Sequence, residues 1–303
     1  MSRALQVADR EKTAERLLNS SAKNSYDPNL DIDWEAPLVE GAYYTPPNRV
    51  SLYGTELWER LSEEQRIELS KHEVASVASN GIWFEMILMQ LLIRHTYSMD
   101  PTSRHVQYAL TEIADECRHS IMFARAVERL GCPAYGPQRT PHFLGRVLKT
   151  IGWGPSMFAG ILIAEEILDR IQRESMADES VQPLVRMINR IHVLEEARHV
   201  RYAREEIVRG MEGLSKAELA VHRYQAGAMA YYVSRTLINP EVYRSVGIDP
   251  KVGRKAALTN PHFRETMRWS AERLVPFVDE VGLLGSPGMR LWRKSFFIGE
   301  HGK

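Results

Sequence analysis

Cysteine is scarce: the 303 residues hold only Cys117 and Cys132, too few for a disulfide framework and too far apart for a CxxC redox motif. That excludes a stapled secreted scaffold and suits a reducing, cytoplasmic setting. Net charge is missing as well. Lys plus Arg and Asp plus Glu each number 39, so there is no basic excess of the kind that binds nucleic acid through its phosphates. Nor is there a polybasic anchor for a membrane surface. Long apolar runs are absent; the longest, from Gly81 to Ile93, is too short for a bilayer and contains Glu85. The N-terminal MSRALQVADREKTAERLL is charged throughout and has no apolar signal core. No G-x-G-x-x-G dinucleotide turn occurs. Few stretches alternate with period two, which leaves almost no room for sheet.

What is present is helical periodicity. Residues 1–50 read as an amphipathic helix followed by an extended wrap over 26–49, where Pro28, Pro37, Pro46 and Pro47 forbid helix. Residues 51–303 read as one domain. Ser62-Glu-Glu-Gln65 is a capping box, and the helix it opens is expected to run to about Tyr97. Asp100-Pro101 punctuates the chain, and further long helices are expected over about 101–130, 154–176 and 181–209. Weaker helices are expected near 214–236, 240–246, 261–283 and 286–296. Long helices on short loops make an all-α helix bundle, with its core over about 61–210.

Two pentapeptides carry the chemistry. Asp115-Glu-Cys-Arg-His119 and Glu195-Glu-Ala-Arg-His199 share the pattern [DE]-E-x-R-H and lie 80 residues apart. Each contains Glu-x-x-His, whose two side chains sit about 60° apart on one helix face. Such a motif alone also fits two unrelated ion-paired helix faces. The register is more specific. Thirty-one residues before Glu116 stands Glu85, and thirty-one before Glu196 stands Glu165. Both lie in apolar helices, where a carboxylate is costly to bury unless paired or metal-bound. The turn near Asp100 folds Glu85 back beside Glu116, and the second half repeats the construction. One Glu from each of two helices, plus Glu-x-x-His from each of two others, is a ligand set of dinuclear metal bundles. Glu166 is the alternative to Glu165, and the 80-residue offset selects Glu165.

His192 shares a face with Glu196 and His199. It is a candidate seventh ligand; the plain alternative is a core histidine held by a hydrogen bond. Its counterpart 80 residues earlier is Glu112, which either touches the site or faces solvent. Asp115 and Glu195 each precede their own motif histidine by four residues, so each is expected to accept that histidine's free ring N–H. Their alternative is a surface acid. Arg118 and Arg198 are expected to face outward or pair with acids, and Cys117 to pack rather than ligate.

These residues resemble the AurF-type di-metal N-oxygenases, whose members oxidise aryl amines. The resemblance rests on Glu85, D-E-C-R-H at 115–119, A-E-E at 164–166 and H-V-L-E-E-A-R-H at 192–199, and is clearest over about residues 50–235. It implies a ferritin-like fold, a homodimer and seven ligands: Glu85, Glu116, His119, Glu165, His192, Glu196 and His199. It also implies two iron ions, with manganese also compatible with such ligands, and O₂ as co-substrate. The implied reaction is stepwise oxidation of an amine to hydroxylamine, nitroso or nitro product. With no nicotinamide or flavin motif, electrons would come from a separate reductase or ferredoxin-like protein. One departure stands out: EVASVASNGIWF before Glu85 holds no Arg to grip an aryl carboxylate. Arg94, further along that helix, is better read as a surface residue. Trp83, Phe84, Met89 and the segment 228–245 could line a pocket, with ordinary core as their default. Two other readings use the same residues: a di-iron C–H hydroxylase or desaturase, and a ferritin-like iron-handling protein.

Overall fold

The computed structural model describes residues 9–299. Helix α1 (Arg10–Lys23) leads to short α2 (Pro28–Asp31), a 3₁₀ turn (Pro47–Arg49) and short α3 (Glu56–Glu59). Four long helices follow: α4 (Glu63–Thr96), α5 (Arg104–Arg129), α7 (Gly154–Ala177) and α8 (Pro183–Gly210), with α6 (Arg139–Ile151) between the two pairs. The chain ends in α9 (Lys216–Thr236), a 3₁₀ stretch (Pro240–Val246), α10 (Pro250–Thr259), α11 (Pro261–Ser270), α12 (Leu274–Glu280) and α13 (Met289–Lys294). Among the described residues the only strand-like pairing is one bridge between Tyr43 and Val181. The protein is therefore an all-α bundle. The expected N-terminal helix begins within the described residues, at Arg10; residues 1–8 lie outside them.

Local chemistry sets the boundaries. Ser62 Oγ accepts from the Gln65 amide at 3.3 Å, and Gln65 Oε1 accepts from the Ser62 amide at 3.0 Å, so both ends of the capping box form. Asp100 Oδ1 accepts from the Thr102 amide at 2.8 Å, closing the turn that reverses α4 into α5. α4 packs along α5, and α7 along α8. α7 is buried on every face from Pro155 to Asp169, where its sequence is mostly apolar, and becomes partly exposed over its more polar last turns. By length and composition α4 would also suit a bilayer. Its buried Glu73 and Glu85 and its packing against α5 make it a core helix instead.

Residues 26–49 wrap the bundle, but they are not free of helix as expected: Pro28 opens α2 and Pro47 the 3₁₀ turn, at first positions where no backbone donor is needed. Ile32 and Trp34 are buried against α5 and α8, and polar groups add further ties. Arg129 donates to the carbonyls of Trp34 and Ala36, and the Gln182 amide pairs with both the N–H and the C=O of Val39. Three differences from the expected helices stand out. The stretch 139–151 is a helix, because Pro141 falls in its first turn, where no backbone donor is needed. The helix expected over 261–283 is broken into α11 and α12. Pro276 lacks the N–H that a continuous helix would use, and α12 instead starts two residues earlier, at Leu274. α10 has no counterpart among the expected helices.

Candidate metal centre

α4 and α7 bring Glu85 and Glu165 to the middle of the bundle, and α5 and α8 bring the two Glu-x-x-His pairs. Glu85, Glu116, His119, Glu165, His192, Glu196 and His199 are all buried, four of them completely. Their potential donor atoms fall into overlapping groups within 4.8 Å of one another: Glu85 with His119 and His192; Glu116 with His119 and Glu196; Glu165 with His192 and Glu196. Glu166 is directed elsewhere and pairs with Arg204 at 2.5 Å.

Glu116 and Glu196 sit between the two motif histidines. His119 Nδ1 is 3.2 Å from both Glu116 Oε2 and Glu196 Oε1. His199 Nδ1 is 2.9 Å from Glu116 Oε1 and 3.0 Å from Glu196 Oε1. The Nδ1 atoms thus face the centre and the Nε2 atoms face away. Each Nε2 meets a carboxylate from the opposite helix: Glu195 Oε2 lies 2.8 Å from His119 Nε2, and Asp115 Oδ2 lies 3.3 Å from His199 Nε2. This corrects the expected pairing of each acid with its own helix's histidine. The cause is direction: with Nδ1 turned toward the neighbouring Glu, the ring's far nitrogen reaches across the interhelical gap and cannot curl back to its own backbone turn.

Around this crossed pair the charges continue. Arg198 is buried and lies 3.3 Å from Asp115 and 3.5 Å from Glu195; Arg118 also pairs with Asp115. The outer wrap reaches in as well, since the Tyr26 amide donates to Glu195 Oε1 at 3.1 Å. Two further residues carry no motif signal. Ser120 Oγ donates to Glu85 Oε2 at 2.5 Å. Gln172 Oε1 accepts from His192 Nδ1 at 2.8 Å, which leaves the lone pair on His192 Nε2, 3.8 Å from Glu85 and 3.7 Å from Glu196. Spacing on their helices could have flagged both, but only the fold aims them.

Electrostatics set these groups apart. Burial and the neighbouring carboxylates push Glu85 and Glu165 well above the usual carboxyl range. Burial alone would raise Glu196, yet His199, His119 and His192 hold it well below that range. Burial likewise opposes charge on His119 and His199, but the surrounding carboxylates outweigh it and hold both well above the ordinary imidazole value. His192 is pushed down to about 4 by burial, so it is neutral and available as a donor. Glu112 does not face solvent: it is 1% exposed and shares a donor group with Glu116 and His199. Neither of its oxygens has a hydrogen-bond partner.

A cavity of about 240 Å³ lies between α4, α6, α7 and α9 and touches the cluster through Glu165. Trp83, Phe84, Ile161, Met229 and Tyr232 form much of its wall. Segment 228–245 therefore contributes through Met229, Tyr232, Val233 and Thr236. Met89 does not line it; its sulfur instead meets that of the exposed Cys117, 3.4 Å away. Arg94 is spent on the end of α6, donating to the carbonyls of Lys149 and Thr150.

Four core helices that gather carboxylates and histidines at a buried midpoint define a ferritin-like bundle of the di-metal class. The family follows from comparison with known sequences. The family model described as P-aminobenzoate N-oxygenase AurF matches residues 7–282, and the chain belongs to that family. Uncharacterized proteins of Mycobacterium bovis and Mycobacterium tuberculosis are 26% identical over 309 residues, covering 96% of this chain and 89% of theirs. Among solved structures, two mutants of an R2-like ligand-binding oxidase, each with an aerobically reconstituted Mn/Fe cofactor, are similar to this chain. One matches at 14% identity and TM-score 0.41, covering 86% of this chain and 93% of that one. The other matches at 13% and 0.42, covering 86% and 92%. Family and site together support an oxidase-type enzyme with a di-metal site.

Proposed function

We propose that this protein is an O₂-dependent di-metal oxygenase that oxidises the nitrogen of a small, largely apolar amine. The observation that carries the reading is the double position of Glu165, which belongs to a metal-donor group and also lines the 240 Å³ cavity. A molecule in that cavity lies against the centre.

The residues suit two metal ions. Glu196 Oε2 is buried with no hydrogen-bond partner, an arrangement costly for a carboxylate unless a cation completes it. Glu85, Glu116, His119, Glu165, His192, Glu196 and His199 would hold the pair, and mixed carboxylate and imidazole donors suit iron or manganese. Bound there, redox-active ions would supply the electrons for dioxygen activation. The chain does the rest. Asp115 and Glu195 fix the imidazole orientation by holding the Nε2 protons of His199 and His119. Ser120 orients Glu85. The aromatic and aliphatic wall excludes water and places the substrate beside Glu165. Among the described residues, the only cations lining that cavity, Arg146 and Lys149, belong to α6. Electrons for repeated turnover come from a separate protein donor, and the working form is a cytoplasmic homodimer.

The test is anaerobic Fe(II) loading followed by O₂ and a panel of amines. A substrate amine accelerates the return of the iron's optical spectrum and yields hydroxylamine, nitroso or nitro product. Oxidation confined to carbon would replace this reading with hydroxylase or desaturase chemistry. Iron uptake far beyond two ions per chain would replace it with iron handling.

A further inference from the structure

We infer that Glu112 is an eighth metal-binding side chain of this centre, supplied by α5 at the position where α8 supplies His192. The inference rests on the two-ion reading above and extends its ligand set.

Three observations support it. The first is burial without a partner. Glu112 is 1% exposed and both its oxygens lack any hydrogen bond. Other buried acids of the bundle are satisfied: Glu73 by the Ser51 amide and hydroxyl, Glu206 by Arg10, Asp115 by Arg198. Tyr108, one turn before Glu112, has a buried hydroxyl that is likewise unpartnered and so does not satisfy it. Burial pushes this carboxyl well above its usual range, and a cation beside it would restore the charged form and complete both oxygens. The second is position. A Glu112 oxygen, a Glu116 oxygen and a His199 ring nitrogen lie within 4.8 Å of one another.

The third is the internal repeat. Glu112, Glu116 and His119 on α5 have the same spacing as His192, Glu196 and His199 on α8, offset by 80 residues. The crossed contacts of Glu195 and Asp115 obey that same relation. Each of these helices then offers three donors on one face, and α4 and α7 add one each. The replacement of a neutral imidazole by a carboxylate makes the two halves unequal. With Glu112 the donors include five glutamates, one more negative charge than two divalent ions carry. Such a set favours a centre in which one ion is trivalent, so Glu112 lowers the reduction potential of the loaded centre.

The experiment measures metal binding by the full-length chain. Wild type, Glu112→Gln and Glu73→Gln are titrated anaerobically with Fe(II) and, separately, with Mn(II). Bound metal is counted by mass spectrometry, folding is checked by circular dichroism, and the potential of the iron-loaded protein is measured. Glu112→Gln should keep its helicity, lose about tenfold or more in affinity for at least one of two ions, and shift the potential positive. Glu73→Gln, which removes a buried acid outside the donor groups, should bind as wild type does. Retention of two ions at wild-type affinity by Glu112→Gln would show a neutral buried acid and overturn the inference alone. Failure of the wild type to bind two ions would overturn the two-ion reading with it. If Glu112→Gln does not fold, Glu112→Asp carries the same comparison, because it keeps the charge but withdraws the oxygens by one methylene; undiminished affinity there overturns the inference.

Discussion

The crossing of the buried carboxylates can be measured directly. His119 and Glu195 are completely buried, with 2.8 Å between Nε2 and Oε2. A hydrogen bond to a charged group in such a place is worth about 1.5–3 kcal/mol. The perturbation is a double-mutant cycle in the metal-free protein, combining Glu195→Gln with His119→Ala and, separately, with His199→Ala. Urea unfolding supplies the free energies. Glu195→Gln keeps the shape but removes the charge, and its amide N–H₂ confronts either the His119 ring N–H or the Tyr26 amide. The cycle with His119 should give a coupling of about 1.5–3 kcal/mol, and the cycle with His199 less than about 0.5 kcal/mol. A coupling to His199 as large as that to His119 would refute the crossed arrangement and restore the own-helix pairing that spacing suggests. In the loaded protein, Glu195→Gln should weaken metal binding about 10–100-fold, equivalent to about 1.4–2.7 kcal/mol.

Other outcomes follow from the same geometry. Glu196→Ala or His199→Ala should abolish binding of two ions per chain while most of the far-ultraviolet helical signal remains; two ions still bound would refute the ligand assignment. Gly160 lines the cavity, and a Cβ there would already lie 3.2 Å from the end of Met229. Gly160→Leu should therefore reduce substrate binding about tenfold or more without loss of metal, and unchanged kcat/KM would remove this cavity from the reaction. Glu73 is raised to about 7 by burial, against the hydrogen bonds from Ser51. A carboxyl raised in the folded state contributes stability below its unfolded value of about 4.5 that is lost as pH rises through 7. Relative to Glu73→Gln, the wild type should thus lose roughly 3 kcal/mol of unfolding free energy between pH 4.5 and 8; parallel pH profiles would refute it.

Much of this molecule is legible in its sequence because helices obey local rules. The capping box at Ser62, the punctuation at Asp100-Pro101 and the glycine and proline after Leu130 mark long helices before any packing is considered. The 80-residue offset likewise relates Glu85 to Glu165 and Glu116 to Glu196, because helical periodicity converts spacing into a shared face. α6 is masked in the sequence by Pro137, Pro141 and Gly145, and it is the tertiary structure that places it across the cavity between α4 and α7. The break at Ala271 is masked for the opposite reason: an apolar pattern continues across a proline.

By itself, then, the sequence determines which residue types stand on which helix face, and hence the class of the bundle and its candidate donors. Only the tertiary structure decides which of those faces meet. It pairs Glu195 with His119 and Asp115 with His199, buries Glu112 beside Glu116 and His199, and turns Gln172 toward His192. These contacts depend on side-chain direction and the distance between helices, and neither is encoded in the spacing along a single chain segment. The same holds for the charges. Sequence arithmetic returns a net of zero, while packing gathers Glu85, Glu112, Glu116, Glu165 and Glu196 at one buried point, where burial and neighbouring carboxylates hold Glu85, Glu112 and Glu165 well above the usual carboxyl range.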